Sequence, residues 1–153
     1  MQNLAETRFK EWLEYKQYPY IYIAQDPQAF STFFKNFNVK RPDFLILVPG
    51  LSIIAVDVKD RNLYSQHESF IIDEERDLNK LLAFERIFRI PVWLAISNQE
   101  VAYRTWYWIS ITEVFEKIPS KVSSHDNRNF RPIPITMCKA LSWEDTFSKL
   151  FQF

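Results

Sequence analysis

The stretch Arg41-Pro-Asp-Phe-Leu-Ile-Leu-Val-Pro-Gly-Leu-Ser-Ile-Ile-Ala-Val-Asp-Val-Lys-Asp60 decides the fold. Two runs of branched apolar residues, Phe44 to Val48 and Ile53 to Val58, flank Pro49-Gly50 and predict a β-hairpin. Gly50 is the only glycine in the chain, and a positive-φ position at this turn is its natural use. Strand side chains alternate, so Asp57 and Lys59 share a face while Ile54, Val56 and Val58 take the other. Asp43 and Asp57 lie seven residues either side of Gly50, so a turn centred there sets them directly opposite each other. Any odd-length loop keeps the two carboxylates on one face, and an even one separates them. Like charges directly opposed across a strand pair are unfavourable, which predicts a cation between them. The bland alternative is a carboxylate at an exposed strand end and a surface Asp57–Lys59 pair. It has to account for the nearly continuous apolar run before Asp57, which is typical of a strand covered on both faces.

Pro42-Asp43, thirteen further residues, then Asp57-Val58-Lys59 resembles the signature of the PD-(D/E)XK nuclease superfamily. The resemblance implies Asp43 and Asp57 as ligands of Mg²⁺ or Mn²⁺, with the Val58 backbone carbonyl as a third. It implies Lys59 as the residue that positions or deprotonates the attacking water. It also implies a Glu on the first helix pointing at the same metal, and Glu6 is the residue that corresponds. On its own Glu6 is equally a first-turn carboxylate favoured by the helix dipole.

The flanking elements fit this reading. Residues 3–17 predict an amphipathic helix with Ala5, Phe9, Trp12, Leu13 and the stem of Lys16 on one stripe. Tyr18 to Ala24 predicts a strand with Pro19 at its start. Asp26-Pro27 caps a short helix over Gln28 to Asn38, with Phe30, Phe33, Phe34 and Phe37 at core-facing spacing; a stacking platform is the alternative for these rings. Lys40-Arg41 leads into the hairpin, and Arg41 beside a metal site is a candidate phosphate contact. A polar loop from Asp60 to Glu68 contains His67, which nothing fixes as catalytic. Ser69 to Ile72 is β-like, Asp73 to Phe88 is a strong helix, and Ile90 to Ser97 and Tyr103 to Ile111 are strands. On the long helix Asp77 begins the inward stripe Asp77, Leu81, Phe84, Phe88.

This order is similar to the α-β-β-β-α-β core of the superfamily, an α/β fold with a mixed central sheet flanked by helices. The stretch Ser69 to Ile96 resembles the Holliday-junction-resolvase-like branch, and the resemblance spans about residues 3–111. Two departures stand out: Asp57 where many relatives have Glu, and Asp77 where a Gln often contacts nucleic acid. Asp77 is thus a candidate nucleic-acid contact or simply a residue that satisfies the helix dipole.

A chain of 153 residues is one domain with room for a real core. Aromatics make up 17%, a surplus that serves a core, a subunit interface or base stacking. The single cysteine, Cys138, excludes an internal disulfide and reads as a small buried residue in a reducing, cytoplasmic compartment. No signal peptide and no membrane span are expected. Nineteen basic and nineteen acidic residues balance to zero, which excludes bulk coating of nucleic acid but permits a local basic channel. In residues 112–153, Lys117, Lys121, Arg128 and Arg131 fall in a Ser/Asn-rich stretch that predicts a mobile loop or phosphate-contacting flap. A final helix is expected from Ser142, docking Phe147, Leu150 and Phe151 on the core or on a second subunit.

The expected function is metal-dependent hydrolysis of phosphodiester bonds in nucleic acid, DNA rather than RNA, by an endonuclease that pairs as a homodimer. A nuclease-fold module that only grips nucleic acid, or an assembly protein, is the alternative.

Overall fold

The computed structural model describes residues 3–64 and 68–151, so His67 lies outside the described residues. Its centre is a six-stranded mixed sheet in the order β1 (Tyr20–Tyr22), β2 (Phe44–Val48), β3 (Ser52–Asp60), β5 (Val92–Ser97), β6 (Thr105–Ser110), β9 (Lys139–Ser142). Only β3 and β5 run parallel; the other neighbours are antiparallel. The hairpin has the expected register, Phe44 opposite Val56 and Val48 opposite Ser52, leaving Pro49, Gly50 and Leu51 as the loop. Gly50 has φ of +77°, where a side chain would be strained. The odd loop therefore sets Asp43 against Asp57 on one face.

Each sheet face carries its own core. On one, α1 (Leu4–Lys16) buries Ala5, Phe9, Trp12 and Leu13 against Phe44, Val56 and Trp108. Asn3 caps this helix by accepting from the Glu6 N–H at 2.8 Å, and Gln17 closes it in the left-handed conformation. Phe9 meets Trp106 edge-on at 5.1 Å, so much of the aromatic surplus is core. On the other face, Leu81 and Phe84 of α3 (Asn79–Phe88) and Ile111 and Val114 of α4 (Ile111–Lys117) pack with Ala55, Leu94 and Ile96.

Four expectations need correction. The helix expected over Gln28 to Asn38 breaks at Phe30-Ser31 into a 3₁₀ turn, Pro27–Ala29, and a four-residue helix, α2 (Thr32–Lys35), because Ser31 accepts the Phe33 N–H and starts a new cap. The phenylalanine spacing then no longer describes one stripe. Phe30 and Phe34 stack inward, while Phe33 and Phe37 are 63% and 50% exposed rather than core.

The long helix begins with a π turn over Glu74–Leu78, capped by Asp73, and Phe88 at its far end is 40% exposed instead of closing the buried stripe. The stretch from Lys117 to Arg131 is not one loop, because Lys121–Val122 and Asn129–Pro134 are strands. Asn129–Pro134 forms β8, which joins β4 (Ser69–Asp73) and β7 (Lys121–Val122) in a second, three-stranded sheet. Arg131 anchors it by donating to Glu74 at 2.8 Å and to the Ile118 carbonyl at 2.6 Å. Finally, Ser142 ends β9, and the last helix is only α5 (Phe147–Leu150). Its Phe147 packs edge-on to Trp12 at 5.5 Å, so this end docks on the chain's own core.

Candidate active site

Alternation along β3 fixes the first part of the site. Ala55, Asp57 and Lys59 share the face that α3 covers, and Asp43, one residue before β2, lies on that face beside them. All three polar side chains are buried: Asp43 is 7% exposed, Asp57 1% and Lys59 6%.

Their partners come from two other elements. Asp77, in the π turn, accepts from Lys59 Nζ at 2.7 Å and from Lys40 Nζ at 2.6 Å. The wider π turn places this carboxylate over the end of β3 while Leu81 and Phe84 remain in the core. Lys40 sits where the segment between β1 and β2 returns to the sheet, its N–H donating to the Lys80 carbonyl at 3.2 Å. Lys59 Nζ lies 3.0 Å and Lys40 Nζ 3.5 Å from Asp57 Oδ2. These are ion-pair distances without hydrogen-bond geometry, and both Asp57 oxygens are buried without a hydrogen bond. Asp43 Oδ2 instead accepts the Val58 N–H at 2.8 Å. The N–H and C=O of one strand residue share an edge, so the Val58 carbonyl faces the same side.

The electrostatics follow the geometry. Burial, then the charge of Asp57 and that of Glu6, push the Asp43 carboxyl up to about 8, against the opposing Val58 N–H and Lys40. The Glu6 carboxyl is also raised, by burial and by Asp57, although it accepts from the Tyr22 hydroxyl at 3.2 Å. Burial would raise Asp77, but Lys59 and Lys40 outweigh it and hold the carboxyl near about 2. Lys40 loses some charge preference to burial and regains more from Asp57 and Asp77, so its ammonium is held firmly charged.

Glu6, Asp43, Asp57, Lys59 and Asp77 therefore converge electrostatically, as does Lys40, which the motif did not mark. The signal for Lys40 was weak: one of two adjacent cations before the hairpin, whose placement depends on how the 21-residue connection between β1 and β2 closes. Arg41 is spent elsewhere. Its guanidinium donates to the carbonyls of Ala24, Gln25 and Asp26, each at 2.8 Å, and lies 4.7 Å over the Phe30 ring. It braces the connection rather than reaching into the site.

Among the described residues, no three His, Cys, Asp or Glu side chains are gathered as a ready metal-ligand set. Asp43 is turned to a peptide N–H and Asp57 to two ammonium groups. The donor chemistry still suits a hard divalent cation. Glu6, Asp43, Asp57 and the Val58 carbonyl offer only oxygen, and Asp57 has two buried oxygens with unused lone pairs.

No protein-family profile and no curated protein matches the sequence. Among solved structures, the chain is similar to Hjc of Archaeoglobus fulgidus, a Holliday junction resolvase from an archaeal hyperthermophile. The TM-score is 0.53 at 16% identity, covering 86% of this chain and 88% of that one. The fold is thus the resolvase-like, restriction-endonuclease-like α/β fold that the hairpin motif implied.

Proposed function

We propose that this protein is a Mg²⁺- or Mn²⁺-dependent nuclease that hydrolyses phosphodiester bonds in DNA. The observation that carries the reading is Asp57: a carboxylate 1% exposed, both oxygens without a hydrogen bond, repelling Asp43 and Glu6 while two lysines approach it. The lysines offset its charge, and its unused lone pairs remain as buried oxygen donors that a cation would satisfy. Similarity in fold to a Holliday junction resolvase adds support.

Glu6, Asp43, Asp57 and the Val58 carbonyl would hold the cation. When bound, it makes a water more acidic and offsets charge on the scissile phosphate. Lys59 Nζ, fixed by Asp77 at 2.7 Å, hydrogen-bonds the attacking water and orients it towards phosphorus. Lys40, charged and anchored on the same Asp77 oxygen, neutralises a phosphoryl oxygen as negative charge builds in the transition state. Asp77 contributes by orienting both lysines, a role different from the direct nucleic-acid contact or dipole role read from its helix position.

A second reading has its own observation. The two lysines already balance Asp57 and Asp77, and no ready ligand set is present among the described residues, which suits a module that grips nucleic acid with little cleavage. Labelled duplex DNA, branched DNA and RNA incubated with Mg²⁺, Mn²⁺ or EDTA separate the two. The nuclease reading expects metal-dependent turnover of DNA that Asp57→Ala abolishes and that Lys59→Ala lowers by about 100-fold or more. Binding without turnover in the wild type favours the second reading, and wild-type turnover in either variant removes the catalytic assignment.

A further inference from the structure

The connection between β1 and β2 leaves the sheet beside Tyr22, which donates to Glu6, and returns through Lys40 and Asp43. Both of its ends are thus in the candidate site, and its middle stands out from the sheet. It carries two bare aromatic rings: Phe33 and Phe37, paired at 4.8 Å and 63% and 50% exposed. The rings beneath them are already partnered, Phe30 with Phe34 and Phe34 with Phe88. Between Phe37 and the outer stripe of α3 runs an open groove of about 380 Å³, floored by Asn79, Leu82, Ala83, Arg86 and Ile87. Those five fall at i, i+3, i+4, i+7 and i+8, a continuous face opposite the one that packs on the sheet.

Exposed cations rim the groove. Lys35 on α2 and Arg86 and Arg89 on α3 are exposed, whereas the nearby carboxylates are engaged: Asp77 by two lysines, Glu85 by the Val92 N–H and the Thr112 hydroxyl. A second copy of this face would bring the same cations together, because a two-fold interface sets a patch against itself. An anionic partner with flat apolar rings matches it.

We propose that this groove is a stacking platform for unpaired nucleotides of a nucleic-acid substrate: a base stacks on Phe37 and Phe33, and Arg86 and Lys35 take the flanking phosphates. The proposal rests on the nucleic-acid reading of the neighbouring site and names the part of the substrate that this face takes, a single-stranded or splayed stretch. Fully paired DNA keeps its bases in the stack and cannot use the rings. Base–aromatic stacking is tolerant of sequence, so the platform selects for unpairedness and not for a motif.

The test is binding without cleavage, in EDTA, of a short fluorescein-labelled oligothymidine and of a fully paired duplex. The proteins are wild type, Phe33→Ala/Phe37→Ala, Phe37→Trp and Arg86→Gln, all checked for folding by thermal melt. The alanine pair should lose oligothymidine affinity by about tenfold or more, and lose much less on the duplex. Phe37→Trp should retain oligothymidine binding, and Arg86→Gln should flatten its salt dependence by about 0.7 in log–log slope. Equal losses on the two probes, or none, overturn the platform while leaving a nucleic-acid-binding site in place. Sedimentation in which the alanine pair turns a wild-type dimer into a monomer also overturns it, and assigns the face to a second copy. A wild type that binds neither probe overturns the nucleic-acid reading together with the platform.

Discussion

At Asp43 the fold holds a carboxylate where burial and two other carboxylates oppose its charge. Its folded value of about 8 lies above the ordinary value, so the native state binds that proton more tightly than the unfolded chain does. The contribution to stability is therefore full below about pH 4 and is lost as pH rises through about 8. Asp77 runs the other way: held near about 2, it stabilises the fold above its ordinary value of about 3.9 and ceases to as pH falls through the folded value. Thermal melts of metal-free wild type should thus decline from mildly acid to mildly alkaline pH, and Asp43→Asn should flatten that decline. The substitution keeps an oxygen for the Val58 N–H, so shape is preserved. Parallel slopes for the two proteins would mean that Asp43 does not sit in the field of Asp57 and Glu6. Asp43, Asp57 and Lys59 were legible in the sequence because strand alternation and an odd turn leave one geometry. Glu6 was legible only through the family pattern, since helix phase alone put it at the border of the buried face. Lys40 was not legible, because its position is set by long-range closure and not by a period.

At the scale of elements, hairpin, first helix and central strands follow from local pattern, and the departures arise where local rules compete. Ser31 offers a new cap in the middle of a phenylalanine period, and the cap prevails because the rings lie far from the main sheet. The π turn at Glu74–Leu78 had no periodic signal, since it lies before Leu81 and Phe84, the residues that set the phase of the buried stripe. Its buried Glu74 accepts from Arg131 and Ser120, tying the second sheet to the start of the long helix. That tie crosses more than fifty residues, which is why the basic residues of this region read as a solvated loop. Arg131→Met leaves Glu74 Oε1 and the Ile118 carbonyl without their donor, and should destabilise by about 2–4 kcal/mol in urea unfolding. A loss under about 0.5 kcal/mol, the size of a plain surface change, would show that the anchor contributes nothing.

Over the whole molecule, two cores lie on either side of one sheet, and the carboxylates sit beside the start of β2 and in the second half of β3. Among the described residues, no helix is long and apolar enough to cross a membrane. Cuts paired across two strands need two sites, so the nuclease reading expects a symmetric dimer, and sedimentation at tens of micromolar giving only monomer would contradict that expectation. The central claim, that Asp57 and its neighbours form one site completed by a divalent cation, is tested most directly by melting wild type and Asp57→Asn in EDTA and in Mg²⁺. A cation that binds the folded site and not the unfolded chain adds about 1.4–2.7 kcal/mol at ten to a hundred times its Kd. At about 2–4 °C per kcal/mol, wild type should gain roughly 3–11 °C in Tm. Wild type should show that gain and Asp57→Asn should lose it; equal shifts in the two proteins, or none in wild type, would mean that no cation completes a site at Asp57.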